Sequence, residues 1–321
     1  MNKKWELINV DESKAEKIEK QFNVGKLVAR ALATKNLKSD EEIEVFLSPR
    51  RGDFHDPFLM PDMEKAVDRV VKAIQNKEKV TIFGDYDVDG ITSSSILHRF
   101  LKECGLETKI YIPNRISEGY GLNEEAIRKI ANEKTTLIIT VDCGITGNKE
   151  VELAKSLGID TVITDHHEPA EELPKAVAVV DCKRKDNKYP FNGLAGCGVA
   201  FKLTQGISQR LGILEEKSLK YLDIVCVGTI SDIVPLEDEN RTISKLGLRL
   251  LNQTKNPGLK ALLESTGYKK IDSTAVSFGL APRINACGRM GHEDEALKLF
   301  LTDNLQEARE LTSKLNEYNT K

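Results

Sequence analysis

Three aspartates stand at alternate positions in the stretch Gly84-Asp85-Tyr86-Asp87-Val88-Asp89-Gly90. On a tight turn, alternate carboxylates direct several oxygens into one small space, where their like charges require a cation or a shared proton at neutral pH. Oxygen ligands of this kind suit Mg²⁺, Mn²⁺ or Ca²⁺. A solvated acidic turn is the competing interpretation, because Asp and Gly are common in turns.

The same stretch matches the first half of an EF-hand calcium loop, D-x-D-x-D-G. That loop requires Glu at its twelfth position, which is Ile96 here, and a helix before it. The preceding residues 80–83 are apolar or β-branched and predict a buried strand instead. A catalytic metal site at the carboxyl end of a strand fits better, provided that further ligands follow.

Further metal-ligand side chains do follow. The apolar run 137–141 ends at Asp142, the run 161–164 ends at Asp165-His166-His167, and Asp232 closes an apolar helix. Mixed carboxylate and imidazole donors suit Mn²⁺, with Mg²⁺ or Co²⁺ as substitutes. A pair of such ions about 4 Å apart is a common device for phosphoester hydrolysis. The sequence therefore predicts a site for two ions.

The elements that must position these side chains alternate between strand and helix. Strands are predicted at residues 80–83, 109–112, 137–141, 161–164 and 176–180, with helices at 92–103, 123–132 and 149–157. This alternation predicts an α/β fold with a parallel β-sheet flanked by helices. The near-continuous apolar character of the strands agrees with a sheet that is buried on both faces.

The chain is predicted to have three parts. Residues 1–60 form an N-terminal helical extension, and residues 61–298 form the catalytic domain. Residues 299–321 begin an amphipathic linker helix that is still running near the last residue, so we expect a longer protein to continue beyond this chain.

The composition excludes several classes of protein. The 321 residues have a normal globular balance, 40% hydrophobic and 30% charged, with a net charge of −3. A polyanion site must therefore be a local basic groove. Neither a signal peptide nor a membrane-length apolar run is present in the sequence. The six scattered cysteines are typical of reduced core residues, which predicts a cytoplasmic location without membrane association.

Four successive motifs resemble those of the DHH phosphoesterases. They are Asp85 to Gly90, Val141-Asp142-Cys143-Gly144, Asp165-His166-His167 and Ser231-Asp232, in the order and spacing of that family. Two further segments, 113–122 and 281–290, are similar to the bacterial members that are 5′→3′ exonucleases specific for single-stranded DNA. The resemblance covers nearly the whole chain. Cys197 and Cys287 depart from it by standing where alanine is usual.

The resemblance implies roles for the ligand-type residues. One ion would be held by Asp87 and Asp142, with Asp85 close by, and the other by Asp89, Asp142, His166 and Asp232. His167 would face the scissile phosphate, and Asp165 would orient a histidine from behind the ligands.

Residues of the two further segments are candidates for substrate binding. Arg115 can grip a phosphate and Tyr120 can stack on a base, both after a strand at the edge that carries the ligands. Arg283, Asn285 and Arg289 are predicted to lie on a glycine-bearing turn and to bind a phosphate together. The run of basic residues at 183–185 is interpreted as a solvated face.

The function implied is metal-dependent hydrolysis of single-stranded DNA from its 5′ end to 5′ mononucleotides, in recombination and repair. Single-strand-binding protein and a helicase would be further partners. Such exonucleases also carry a second catalytic-region domain and an OB-fold beyond the region matched here, so we expect this chain to bind DNA with reduced affinity.

A DHH enzyme that acts on short oligonucleotides or cyclic dinucleotides is the alternative function. A haloacid-dehalogenase-type phosphatase would leave Asp165-His166-His167 unused, and a non-catalytic DNA-binding scaffold would leave the ligand set without purpose.

Overall fold

The computed structural model describes residues 6–321, and the chain divides into two compact units, Met1–Asp53 and Phe54–Lys321. The first unit is helical and has its own core of Ile18, Ala29, Leu32 and Ile43. Its helices are α1 (Glu12–Phe22), α2 (Lys26–Ala33) and α3 (Asp40–Leu47), followed by a 3₁₀ turn at Arg51–Asp53.

The second unit is built on a five-stranded sheet in which every neighbouring pair is parallel, as predicted. The strand order is β2-β1-β3-β4-β5. The chain therefore runs outward in one direction from β1 to β2 and in the other direction from β3 to β5. Open α/β sheets bind ligands at the carboxyl ends of the strands where this direction reverses, which here lies between β1 and β3. The strands are β1 (Val80–Phe83), β2 (Thr108–Tyr111), β3 (Leu137–Val141), β4 (Asp160–Asp165) and β5 (Ala178–Asp181).

Helices cover both faces of this sheet, because successive strand side chains point to opposite sides. Leu137 and Ile139 of β3 belong to the large core beneath α4, α5 and α8, whereas Ile138 packs with residues of α6 and α7. The helices are α4 (Met63–Asn76), α5 (Val88–Glu103), α6 (Glu124–Asn132), α7 (Asn148–Ser156), α8 (Gly196–Leu211), α9 (Glu216–Leu219), α10 (Leu222–Ser231), α11 (Asp238–Leu251), α12 (Pro257–Thr266), α13 (Ala281–Arg289), α14 (Glu293–Leu301) and α15 (Leu305–Thr320), with a π-helical turn at Ala275–Leu280.

Among residues 6–321, none of the helices combines the length and the apolar character needed to cross a bilayer.

A fully buried ion pair joins α8 to α11. The Lys202 ammonium donates to Glu239 Oε1 at 2.9 Å, and both side chains have no exposed surface. Glu239 also accepts hydrogen bonds from the Tyr189 hydroxyl and from the backbone N–H of His55. The pair is thus fully partnered inside the core, which is the condition under which buried charges are tolerated.

Removing one partner of this pair is expected to cost stability. Glu239→Ala would leave the Lys202 ammonium buried and unpaired, so we expect the free energy of unfolding to fall by about 3–5 kcal/mol. The double variant Lys202→Met/Glu239→Leu removes both charges and should lose much less. Urea unfolding followed by circular dichroism measures both, and equal losses in the two variants would contradict the expectation.

Candidate active site

The three alternate aspartates lie between β1 and α5, but not on a simple turn. Helix α5 begins at Val88, four residues before the predicted start, and Asp87 is its N-cap, accepting the Gly90 N–H at 3.0 Å. Aspartate is favoured at an N-cap, and acids in the first turn are stabilised by the helix dipole, which is why the helix starts inside the acidic stretch. A Cβ on Gly90 would lie 2.3 Å from the Asp85 carbonyl oxygen, so the close approach requires glycine.

The N-terminus of α8 holds the carboxylate of Asp89. The backbone N–H groups of Gly196 and Cys197 donate to its two oxygens at 2.6 and 2.8 Å. These N–H groups have no partner within the helix, so they are free to bind an anion. A Cβ on Gly196 would also lie 2.7 Å from Asp142 Oδ1, so glycine allows α8 to reach the site.

His166 lies at the centre of the candidate ligands. Its Nε2 is 3.1 Å from Asp142 Oδ1 and 3.6 Å from Asp89 Oδ2, and its Nδ1 is 3.8 Å from Asp232 Oδ2. Asp142 follows β3 in the left-handed region at φ 58°, and Asp232 caps the carboxyl end of α10. Side chains from three separate elements therefore converge on one imidazole.

The Asp165 carboxylate lies behind this cluster and contacts the second histidine. Its Oδ1 is 2.8 Å from His167 Nδ1 and accepts the His166 N–H at 2.7 Å, while Oδ2 accepts the Ile145 N–H at 2.9 Å. The Tyr120 hydroxyl lies 3.2 Å from His167 Nδ1. These contacts fix the orientation of the His167 ring at the mouth of the site.

The described part of the chain contains three groups of side chains that could hold a metal ion. Within each group, the candidate ligand atoms all lie within 4.8 Å of one another. Three buried atoms of these groups have no hydrogen-bond partner: Asp85 Oδ1, Asp142 Oδ1 and His166 Nδ1. Buried polar atoms are rarely left unpaired, and a carboxylate oxygen can bind a cation instead of a hydrogen. The donor set therefore fits divalent ions. The groups are Asp85, Asp87 and Asp142; Asp89, His166 and Asp232; and Asp142, His166 and His167.

The electrostatics of the cluster also favour a cation. Burial, followed by the charge of Asp87, raises the pKa of Asp85 to about 7. Burial, followed by the charge of Asp89, raises the pKa of Asp232 to about 8 and raises the pKa of Asp142 well above its ordinary value. A cation at the site would oppose all of these shifts, because it favours the charged carboxylates.

The two histidines have opposite shifts. Burial lowers the pKa of His166, which favours the neutral imidazole that binds metals. The hydrogen bond with Asp165 raises the pKa of His167 and favours its protonated, hydrogen-donating form. Burial is the largest influence on Asp165 and acts to raise its pKa, but the bond to His167 and the backbone N–H groups outweigh it, so the pKa is lowered.

A cavity of about 340 Å³ opens beside the acidic cluster. Arg115 lies over the ring of Tyr86, with its guanidinium carbon 5.2 Å from the ring centre, and lines this cavity together with Arg289. A cavity lined by both carboxylates and guanidinium groups suits an anionic ligand that is bridged to a cation. The lining residues are Asp85, Tyr86, Asp87, Arg115, Tyr120, His167, Asn285 and Arg289.

Arg283 does not reach this cavity with Asn285 and Arg289. All three lie on α13 and not on a turn, and at about 100° per residue a step of four returns to the same face, whereas a step of two does not. The Arg283 guanidinium donates instead to Asn316 Oδ1 and to the Gly279 carbonyl. Asn285 Oδ1 accepts the Val88 N–H at 3.3 Å, which ties α13 to the start of α5.

The sequence interpretation missed some residues near the site. Asp181 ends β5 at the same sheet edge, and burial raises its pKa to about 7, so the strand-end rule applied to the last strand would have found it. Tyr86 lies between two predicted ligands and lines the cavity. Arg184 is not solvated, because it is largely buried and donates to Asp62 Oδ2 and the Val179 carbonyl.

The fold and the ligand set define a class of protein. The profile of the DHH family, N-terminal domain, matches residues 79–229, so this part of the chain is a domain of the DHH family. Within that family it is similar to RecJ. The single-stranded-DNA-specific exonuclease RecJ of Bacillus subtilis (strain 168) is 42% identical over 98% of this chain and 40% of the relative. The RecJ of Escherichia coli (strain K12) is 34% identical over 91% of this chain and 52% of the relative.

Solved structures agree with this assignment. Exonuclease RecJ bound to manganese matches with a TM-score of 0.76 and 36% identity, over 81% of this chain and 66% of that chain. RecJ of Thermus thermophilus in complex with Mn²⁺ matches with a TM-score of 0.78 and 31% identity, over 96% of this chain and 44% of that chain. The chain spans about half the length of the curated relatives that it matches.

Proposed function

We propose that this chain is the catalytic part of a metal-dependent 5′→3′ exonuclease that hydrolyses single-stranded DNA to 5′ mononucleotides in recombination and repair. The observation that carries the proposal is the cluster of carboxylate and imidazole ligand atoms beside a cavity that also presents Arg115 and Arg289. The names of the RecJ relatives support the choice of substrate.

The resident ions are proposed to be two Mn²⁺, with Mg²⁺ or Co²⁺ as substitutes. RecJ structures with Mn²⁺ and with Mg²⁺ support this choice, and so do the unpartnered buried ligand atoms of this chain. Asp85, Asp87 and Asp142 would hold one ion, and Asp89, His166 and Asp232 the other, with Asp142 between them. When bound, such a pair lowers the pKa of water and neutralises charge at a phosphate.

Other residues of the site would bind and orient the substrate. His167 is held in place by Asp165. It would donate a hydrogen bond to the scissile phosphate and, when protonated, would also stabilise the negative charge of that phosphate. Arg115 and Arg289 would bind phosphate oxygens, and Tyr120, whose hydroxyl lies beside His167, would contact the substrate in the same cavity. Arg283 lies outside this group, because its guanidinium donates to Asn316 and does not line the cavity.

The wider organisation belongs to the same proposal. Residues 61–298 would form the catalytic domain, with 1–60 as a helical extension and 299–321 as the start of a linker helix. Single-stranded DNA would be the substrate, and single-strand-binding protein and a helicase would be partners. All six cysteines are free thiols, which supports work in the reducing cytoplasm.

Digestion of single strands labelled at either end tests the function. We expect Mn²⁺-dependent release of the 5′ label as a mononucleotide, with 3′-labelled strands shortened progressively from the other end and no reaction after chelation. Equal amounts of a dinucleotide and a cyclic dinucleotide should compete poorly. Release of the 3′ label first, or faster turnover of the cyclic dinucleotide, would contradict the proposal.

The two arginines of α13 provide a matched pair of variants. Arg289→Ala removes a cation from the cavity and is expected to raise KM for single strands about tenfold or more, as a lost charge-assisted hydrogen bond of about 1.5–3 kcal/mol requires. Arg283→Ala removes the same charge from the other face of α13, so KM should stay within about twofold. Steady-state kinetics with Mn²⁺ measures both, and equal effects would show that only the net charge matters.

A further inference from the structure

A second cavity, of about 500 Å³, adjoins the first one and shares Asn285 and Arg289 with it. We call it the Ile233 groove, after the isoleucine on its rim. Its apolar surface comes from Ile233, Pro282 and Met290, and its aromatic side chain is Tyr318, whose ring stacks on His292 with 4.5 Å between the ring centres. Apart from Asn285 and Arg289, its lining residues have no part in the proposed catalytic site.

Ile233 is an unusual residue for its position. It follows Asp232 directly, its backbone is in the left-handed region at φ 63°, and it is 88% exposed. A β-branched residue rarely adopts this conformation, which glycine and asparagine adopt readily. Val234 and Leu236, by contrast, pack against the core. The backbone thus turns an apolar side chain out of the core and onto the rim of the groove, where most of its surface is exposed.

A second segment that lines the groove also has an irregular backbone. The turn at Ala275–Leu280 is π-helical, contributes Ser277 to the groove and leads directly into α13. Such turns frequently occur at functional sites. The charged and amide groups of the groove are Asn285 and Arg289 at the end that meets the active-site cavity, with Asn319 and Lys321 elsewhere in its lining, and the Lys321 ammonium pairs with Glu317 at 2.6 Å. An apolar surface with the Arg289 guanidinium at one end suits a flat ligand that carries negative charge.

We propose that the Ile233 groove binds the nucleotide that follows the one in the active-site cavity. The base of this nucleotide would lie against Ile233, Met290 and Tyr318, and its phosphate would lie near Arg289. This inference rests on the proposed function, since it assumes that a single strand enters the adjoining cavity. Contact between a base and an aromatic or apolar side chain is tolerant of sequence, because every base has a flat face. The groove would therefore make strands longer than a dinucleotide better substrates without selecting a sequence.

The test combines protein variants with an altered strand. Binding of a fluorescent pentanucleotide with hydrolysis-resistant phosphorothioate linkages is measured by anisotropy in Mn²⁺ with the otherwise unaltered protein, and again with strands that lack the base at the second or third nucleotide. The Ile233→Ala change is added to this background, and Leu214→Ala, which removes an exposed leucine outside both cavities, is the control. Ile233→Leu keeps an apolar side chain and should retain binding.

We expect the missing base and Ile233→Ala each to weaken binding about fivefold or more, and Ile233→Ala to weaken binding of the strand without the base no further, because its contact is already lost. Leu214→Ala should change nothing. Ile233→Gly should raise the melting temperature, because glycine suits the left-handed backbone, and still lose strand affinity. That combination is the reverse of what a purely structural role of the side chain would give.

Independent, multiplying effects of the missing base and of Ile233→Ala would overturn the inference, as would unchanged affinity in Ile233→Ala. Either result would show that the groove does not bind the strand. The wild-type protein, assayed separately for Mn²⁺-dependent cleavage, reports on the proposed function alone. Active wild-type protein with base-independent binding would therefore reject the groove and leave the nuclease standing.

Discussion

Asp142→Asn is expected to lower the rate of strand hydrolysis by at least about a thousandfold. Asp142 supplies ligand atoms to two of the three groups, and its Oδ1 is buried without a hydrogen-bond partner. Asparagine keeps the size of the side chain but removes the charge that would hold a divalent ion. The ions contribute several kcal/mol to stabilising the transition state, and each 1.36 kcal/mol corresponds to a tenfold change in rate.

The same variant should fold at least as well as the parent without metal. Burial and the charge of Asp89 raise the pKa of Asp142, so its carboxylate is a cost to the metal-free fold that the amide avoids. We expect an unchanged or higher melting temperature together with loss of the stabilisation by Mn²⁺. Asp303→Asn, on an exposed side chain paired with Arg99, is the control and should keep full activity. An active Asp142→Asn protein would refute the assignment of the site.

The metal-free protein is expected to lose stability as the pH rises from about 4 to about 8. Asp85 and Asp232 have pKa values of about 7 and about 8 in the fold, above the ordinary value of 3.8 that applies to the unfolded chain. In this window the folded state binds more protons than the unfolded state, so the free energy of unfolding falls with pH. Each such carboxyl contributes about 1.4 kcal/mol per pH unit.

Saturating Mn²⁺ should reverse this slope. Ions compete with the protons on the same carboxylates, so metal affinity rises with pH and each ion at a hundredfold excess over its Kd adds about 2.7 kcal/mol. For two ions at pH 8 this corresponds to an increase of about 8 °C in melting temperature. Thermal unfolding between pH 5 and pH 8, with and without Mn²⁺, measures both trends. A metal-free protein that gains stability over this range would contradict the expectation.

The sequence by itself was sufficient for the parallel sheet, its flanking helices and the family. Apolar strands alternating with amphipathic helices have few other solutions, because both faces of such a sheet must be buried. It was also sufficient to nominate Asp85, Asp142 and His166, since the carboxyl ends of parallel strands share one edge. These inferences depend on local pattern, which a linear sequence contains.

Only the tertiary structure decided which nominated residues meet. Asp232 reaches His166 because α10 packs against α5 and α8. The residues around Asp232 in the sequence do not indicate this packing. The start of α5 at Val88 turned an expected acidic loop into a capped helix, and α13 separated Arg283 from Arg289 where a turn had been predicted. The left-handed backbone at Ile233 could not be predicted either, because isoleucine normally favours a negative φ. Distances between side chains far apart in sequence, and the backbone conformations that aim them, are set by the packing of whole elements and not by the residues alone.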